Sequence, residues 1–232
     1  NPKGVLYTHR SVVLHAYAGC LPDVLAFSGN DCVLMVVPMF HVNGWGIPYA
    51  AAMMGAKIVM PGPKMADGET LQALIEREQV TVASGVPTIW LALLQYLDQS
   101  GKSIDSVTRV SVGGAACPRS IIEDFDKKHG VTVHQGWGMT ETSPLGTIFK
   151  VKPTMGELSQ EDRYELQAKQ GCGVFGIEMR ITDENDEPLP WDGVAFGTLK
   201  VRGPWVASNY FRVEDAGSPL DKDGWFDTGD VA

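Results

Sequence analysis

The sequence has little cysteine and pairs none of it. Cys20, Cys32, Cys117 and Cys172 stand far apart, and no Cys-x-x-Cys pair occurs. A zinc site or a disulfide-stapled fold requires paired cysteines, so both are excluded. The plain reading is unpaired thiols in a reducing compartment, which points to the cytoplasm. Basic charge is also scarce. Lys and Arg number 19 against 28 Asp and Glu, a net charge of −9. A nucleic-acid-binding domain needs a basic face, so no nucleic acid is expected as a partner. Internal repeats and low-complexity tracts are missing as well. With 44% hydrophobic and 20% charged residues, the composition is globular and excludes a disordered or fibrous chain.

There is no unbroken apolar span either. From Cys32 to Ala56 no Lys, Arg, Asp or Glu occurs, which is long enough to cross a bilayer. Pro38, His41, Asn43, Gly44, Gly46 and Pro48 interrupt it. A lipid-facing helix broken there would leave backbone groups unpaired. The stretch therefore reads as a buried strand, a loop and a buried helix, with no transmembrane segment. The chain opens Asn1-Pro2-Lys3-Gly4, with no Met, no basic leader and no signal peptide,. Such a start reads as the middle of a longer sequence.

What is present is an alternation of strand and helix over 232 residues, a length that forms one large domain or two small ones. Val33–Val37 is a continuous apolar run closed by Pro38, a strand buried on both faces,. Ile47–Met54 reads as a helix stopped by Gly55,. Lys57–Met60 is a short strand. Gly68–Glu78 is an amphipathic helix with Leu71, Leu74 and Ile75 on one face,. Val80–Ala83 is a strand, and Pro87 opens a helix running to about Leu97,. Arg109–Val112 (strand), Arg119–Lys128 (helix) and Val131–His134 (strand) complete the pattern. The expected class is α/β, a mostly parallel sheet covered by helices. A charged helix follows over Ser159–Lys169, capped by Ser159,. Short β pieces then come at Glu178–Ile181, Gly197–Val201 and Val206–Phe211, separated by turn residues. This is the texture of a smaller antiparallel or distorted-barrel subdomain. The boundary is placed near 170, dividing 1–170 from 171–232.

Four segments carry chemistry-bearing residues on loops after strands, where open α/β sheets bind ligands. Pro38-Met39-Phe40-His41-Val42-Asn43-Gly44-Trp45 puts an imidazole and an aromatic on a glycine-containing turn. Taken alone, it fits a core histidine bonded to backbone at least as well. Gly113-Gly114-Ala115 allows backbone to approach a ligand closely,. In His134–Ser143, the Gly136-Trp137-Gly138 run offers a flat face to a nucleobase and Thr140 a hydroxyl to a phosphate. Glu141 offers a carboxylate to Mg²⁺, which takes one or two carboxylates plus phosphate oxygens. Gly224–Asp230 ends in a carboxylate able to accept both O–H groups of a ribose diol, or else is an ordinary acidic turn,.

Together these segments resemble the adenylate-forming superfamily of acyl-CoA synthetases, luciferases and peptide-synthetase adenylation domains. The opening Asn-Pro-Lys-Gly through Thr8-His9-Arg10 is similar to the tail of that family's phosphate loop. PMFHVNGWG, VGGAA, QGWGMTETSP, GTLKVRGPWV and DGWFDTGD resemble its successive core motifs, in order and over the whole chain. PMFHVNGWGIPYAAAMMGAK, VPTIWLALLQYL and LQAKQGCGVFGIEMRI look most like medium- and long-chain fatty-acyl-CoA synthetases.

The resemblance implies a two-step ligase using ATP, Mg²⁺ and CoA on a carboxylic acid, a fatty acid first among them. Carried over, His41 lies beside the reacting carboxylate, Thr140 contacts phosphate and Glu141 binds Mg²⁺. Gly113, Gly114 and Ala115 line the adenine and acyl pocket. Trp137, flanked by Gly136 and Gly138, stacks on adenine where the family usually has Tyr. Asp230 holds the ribose hydroxyls, and Trp45 matches the aromatic gate of the fatty-acid tunnel. A homodimer is admitted. The front half of the phosphate loop and the small C-terminal lid domain with its lysine have no counterpart here, so the chain alone is expected to be inactive. The rivals are an aryl- or short-chain-acid ligase, a luciferase-like enzyme, an amino-acid-activating domain, and a fragment that binds nucleotide or acyl chains without turnover. For amino acids, no acidic residue obviously awaits an α-amino group.

Overall fold

The computed structural model describes residues 3–212 and 218–232. Five strands form a parallel sheet: β1 (Cys32–Met35), β2 (Lys57–Val59), β3 (Val82–Gly85), β4 (Arg109–Val112) and β5 (Thr132–Gln135), in the order β2-β1-β3-β4-β5. Strand alternation sorts the side chains to two faces. Val33, Met35 and Val82 pack with Phe27 and Ile47 against helices His9–Cys20 and Ile47–Met54. Leu34, Ala83, Val110, Val112 and Val133 meet the other four helices: Gly68–Glu78, Pro87–Ser100, Arg119–His129 and Gln160–Gln167. Trp90, fully buried, anchors this second layer edge-to-face on Phe125. A sheet covered on both faces explains why its interior strand β1 reads as an unbroken apolar run rather than an alternating one,.

A short pair, β6 (Thr147–Ile148) with β7 (Cys172–Gly173), leads to a separate antiparallel sheet. That sheet holds β8 (Glu178–Thr182), β9 (Pro188–Leu189), β10 (Thr198–Arg202) and β11 (Phe226–Val231) in the order β11-β10-β8-β9. Ile181, Leu199, Val201, Trp205 and Phe226 form its core, joined by Ala18 and Val24 from the first helical layer.

The α/β class with a second, β-rich part is as expected, and several details differ. The helix His9–Cys20 has no counterpart in the sequence reading because its apolar periodicity is weak. What starts it is local: Thr8 and Ser11 exchange side-chain and backbone bonds at 3.0 Å in a capping box,. The strand expected at Val80–Ala83 sits two residues later, since Val80 still belongs to the turn leaving the preceding helix. Val206–Phe211 forms no strand. Ala207 and Phe211 donate to the Glu141 and Gly4 carbonyls, Asn209 accepts from the Leu6 N–H, and Tyr210 makes only an isolated bridge to Val5. The last strand of the sheet is Phe226–Val231, where the sequence suggested a ligand-binding turn. Among the described residues, no helix is long and apolar enough to cross a membrane.

Candidate active site

The loops that follow β1, β4 and β5 converge at the carboxyl ends of the parallel strands. They enclose a cavity of about 330 Å³. The sheet order places it beside the point where the chain reverses direction across the sheet, the usual ligand position in such sheets.

After β1, the chain does something L-residues rarely do. Val42, Asn43, Gly44, Trp45 and Gly46 all have positive φ, between 46° and 71°. Val42 is β-branched, and a residue held there costs of order 1–3 kcal/mol. Packing holds the turn in place: Gly44 lies against the sulfurs of Met35 and Met39, and Gly46 against the imidazole of His15. One result is that His41 is exposed at the cavity, not a backbone-bonded core histidine. A second is that the Trp45 indole is laid on the end of β4. A Cβ added to Gly113 would lie 3.2 Å from the Trp45 ring, so glycine is what permits the approach.

The uncharged residues that follow His41 divide between the cavity, the core and the surface. Val42 and Trp45 line the cavity. Ile47 turns into the core of the sheet and Tyr49 is exposed, because helix periodicity divides residues 47–49 among different faces,.

After β5, the chain makes a tight loop stitched by Gly146 and Thr147, whose N–H groups both donate to the Trp137 carbonyl at 3.1 and 2.9 Å. Gly136, Trp137, Gly138, Thr140 and Glu141 all face the cavity, with Gly113 and Gly114 opposite. Thr140 is exposed and Glu141 half-buried. Two tyrosines far away in sequence hold this turn. The Tyr7 hydroxyl donates to the Thr140 carbonyl at 2.5 Å, and the Tyr210 hydroxyl donates to Glu141 Oε1 at 2.8 Å. Burial, and then the Glu141 carboxylate, push Tyr7 up to about 12. Burial, then the hydrogen bond to Glu141, does the same for Tyr210, also to about 12. Both phenols therefore stay protonated donors.

Ala115 and Asp230 lie outside this cavity. Ala115 is exposed on the loop beyond Gly114. Asp230 lines a neighbouring cavity of about 780 Å³, and Trp137 lines both. The Trp137 indole N–H donates to Asp230 Oδ2 at 2.8 Å. The indole thus joins the β5 loop to β11 by a bond through its polar edge.

His15 is a site residue the sequence reading missed. It is buried, lines the cavity, and accepts from the Leu145 N–H through Nε2 at 3.3 Å. Burial drives its pKa down to about 4, so the imidazole stays neutral and can accept. No local motif distinguishes it, nor Tyr7 or Tyr210. Each reaches the site only through the tertiary fold.

Among the described residues no three or more His, Cys, Asp or Glu side chains gather as a metal cage. Glu141 offers Oε2, which accepts no bond among the described residues. One carboxylate beside an open space fits Mg²⁺, which takes its other ligands from phosphate and water.

Known proteins share this architecture. The chain is 49% identical over 232 residues to the 3-methylmercaptopropionyl-CoA ligase of Ruegeria pomeroyi. It is 49% identical to the medium-chain-fatty-acid–CoA ligase of Ectopseudomonas oleovorans and 47% to the long-chain-fatty-acid–CoA ligase of Thermus thermophilus. In all three cases the match takes in 100% of this chain and 42% of the relative's length. Among solved structures, a long-chain-fatty-acid–CoA ligase from Archaeoglobus fulgidus superimposes with a TM-score of 0.83 at 25% identity, over 100% of this chain and 46% of that one. O-succinylbenzoate coenzyme A synthetase from Bacillus subtilis, solved in complex with ATP and magnesium ion, gives 0.80 at 25% identity, over 99% of this chain and 44% of that one. The family described as AMP-binding enzyme matches residues 1–211. With the sheet, the glycine loops and the Thr140–Glu141 turn arranged as above, the chain belongs to the AMP-binding enzyme family.

Proposed function

We propose that these residues form the nucleotide- and acid-binding core of an ATP-dependent acid–CoA ligase. One observation carries the reading. A single cavity at the strand ends collects His41, Trp45, Gly113, Gly114, Gly136, Trp137, Gly138, Thr140 and Glu141 from three separate loops. In the first step a carboxylate oxygen of the acid bonds to the α-phosphorus of ATP. The bond from that phosphorus to the bridging oxygen breaks, and pyrophosphate leaves with its electrons. In the second, the CoA thiolate attacks the acyl carbon and AMP departs. Such chemistry needs positioning and charge neutralisation rather than a side-chain nucleophile. His41 lies at the carboxylate, Thr140 bonds phosphate, Gly113 and Gly114 flank the nucleotide and acyl groups, and Trp137 gives adenine its flat face. Glu141 would hold Mg²⁺, which would supply positive charge to offset that of the triphosphate. An ATP–pyrophosphate exchange assay on the complete protein, run over a panel of carboxylic acids, tests the reading. Exchange with no acid would reject it.

Leu25, Val42, Trp45, Leu145 and Ile148 give the cavity an apolar lining, which supports a fatty or related acid. Each buried methylene adds about 0.8 kcal/mol, so affinity climbs with chain length until space ends. The modest 330 Å³ also favours a second reading, a short acid such as a sulfur-containing one. Whether a longer tunnel lies behind Trp45 is tested by the substitution Trp45→Ala. If Trp45 gates a longer tunnel, the variant binds fatty acid without ATP, where the parent requires the nucleotide. If Trp45 only packs on Gly113, its loss costs roughly 3–5 kcal/mol of stability and leaves the ATP requirement in place. Fatty-acid binding to both proteins, with and without an ATP analogue, decides.

Asp230 is expected to act on binding rather than chemistry. The ribose is held alike in ground and transition states, so Asp230→Ala raises the KM for ATP and leaves kcat close to the parent's. Hydrogen bonds to a charged acceptor contribute about 1.5–3 kcal/mol, roughly a ten- to hundredfold change in KM. The same substitution frees the Trp137 indole. A collapse of kcat at unchanged ATP affinity would contradict the assignment.

A further inference from the structure

The segment Val206–Phe211, which joins no sheet, leads into the corner of the cavity. Its Ala207 N–H donates to the Glu141 carbonyl at 2.7 Å, and its Phe211 N–H donates to the Gly4 carbonyl at 2.7 Å. Tyr210 bridges antiparallel to Val5. The loop thus ties the opening segment of the chain to the Thr140–Glu141 turn, and Tyr210 stands at the junction.

Its side chain meets two opposite charges. The hydroxyl donates to Glu141 Oε1 at 2.8 Å. The ring face lies 4.7 Å from the ammonium of Lys3, within cation–π reach,. Among the described residues Lys3 and Glu141 form no ion pair. Left to themselves, an ammonium and a carboxylate this close to a common neighbour would attract and cancel each other. The phenol engages both and keeps both available.

We propose that Tyr210 is a positioning residue for the metal–triphosphate corner of the site. It fixes one oxygen of the Glu141 carboxylate, leaving the other for a divalent cation, and seats the Lys3 ammonium for phosphate. The inference rests on the ligase reading above and adds the element that orients its charges.

The test is Tyr210→Phe in the complete protein, a change that keeps the ring and removes only the donor. Mn²⁺ binding in the presence of ATP, followed by electron paramagnetic resonance, is the first readout. The Mg²⁺ dependence of pyrophosphate exchange is the second. Losing a partner that orients a metal ligand typically weakens metal affinity 10- to 100-fold, so affinity is expected to fall about tenfold. ATP binding in chelator and the unfolding midpoint, both expected unchanged, show that the fold is intact. Glu141→Gln runs alongside. Parental Mn²⁺ affinity in Tyr210→Phe, with weakened affinity in Glu141→Gln, overturns the positioning role alone. Parental affinity in both removes the metal reading of Glu141 as well. An equal loss of ATP affinity with and without metal reduces Tyr210 to packing and also overturns the proposal.

Discussion

Glu141→Ala is expected to abolish pyrophosphate exchange while leaving the protein folded. Removing a metal ligand forfeits several kcal/mol of transition-state stabilisation. At 1.36 kcal/mol per decade that is a loss on the order of 10²–10³-fold or more. The fold should tolerate it. Glu141 is half-buried, its side chain bonds only Tyr210 among the described residues, and its carbonyl bond from Ala207 is backbone and survives the substitution. An unfolding midpoint within about 4 °C of the parent corresponds to roughly 1 kcal/mol for a chain of this size. Glu141→Gln separates charge from hydrogen bonding, since its amide oxygen still accepts from Tyr210. If charge is what matters, Gln is as defective as Ala. Near-normal exchange in Glu141→Ala removes Glu141 from the chemistry, and near-normal exchange in Glu141→Gln alone shows that its charge is not what matters.

Gly138→Ala is expected to dismantle the nucleotide loop. A Cβ built on Gly138 falls well inside the Pro144 carbonyl oxygen and lies 3.3 Å from the Gly146 nitrogen. Gly138 bridges to Leu145 at this point, and the bonds from Gly146 and Thr147 to the Trp137 carbonyl close the same loop. All of these neighbours are backbone, so no side chain can swing aside. The loop must open, and Trp137, Thr140 and Glu141 move with it. Overpacking of this kind costs about 1–3 kcal/mol, more when only backbone can give. ATP affinity should drop more than about tenfold, since two or more contacts of about 1 kcal/mol each are lost together. Gly101→Ala is the control. Nothing lies within 4 Å of its added Cβ, but its φ of +65° makes alanine unfavourable, by about 1 kcal/mol. That control should lose stability and keep ATP affinity. A Gly138→Ala protein that binds ATP like the parent would show the loop to be less closely packed than described.

Most of the parallel sheet was legible because its signals are local. Val33–Val37 is an apolar run closed by Pro38, the other strands are short and end near glycine or proline, and the amphipathic helix Gly68–Glu78 repeats its apolar residues every three or four positions,. Gly68–Glu78 came out with the bounds expected, since Asp67 caps its start and Leu71 and Ile75 mark its buried stripe. Boundaries slipped where the apolar run outlasts the pairing, as at Val36 and Val37, which stay buried beyond β1. Val206–Phe211 misled for a physical reason. Val206, Tyr210 and Phe211 favour extended backbone, yet the segment pairs only through an isolated bridge at Tyr210. Propensity does not say which partner receives the hydrogen bonds.

The left-handed turn at residues 42–46 was also illegible. Asn43, Gly44 and Gly46 hint at positive φ, but Val42 and Trp45 argue against it,. Only packing on Met35, Met39 and His15 decides the matter.

By itself, then, the sequence determined the layered α/β architecture, the strand-end placement of the glycine, threonine and acidic residues, and the family they resemble. These follow from patterns spanning a few residues, where covalent geometry and side-chain periodicity act directly. Tertiary structure alone decided that His41 faces the cavity while His15 is buried beneath it. It also decided that Trp137 bonds Asp230, and that Tyr7 and Tyr210 clasp the Thr140–Glu141 turn. Those contacts join residues 69 to 133 positions apart. They form only when burial of the apolar layers has brought those segments together, so no local pattern can encode them.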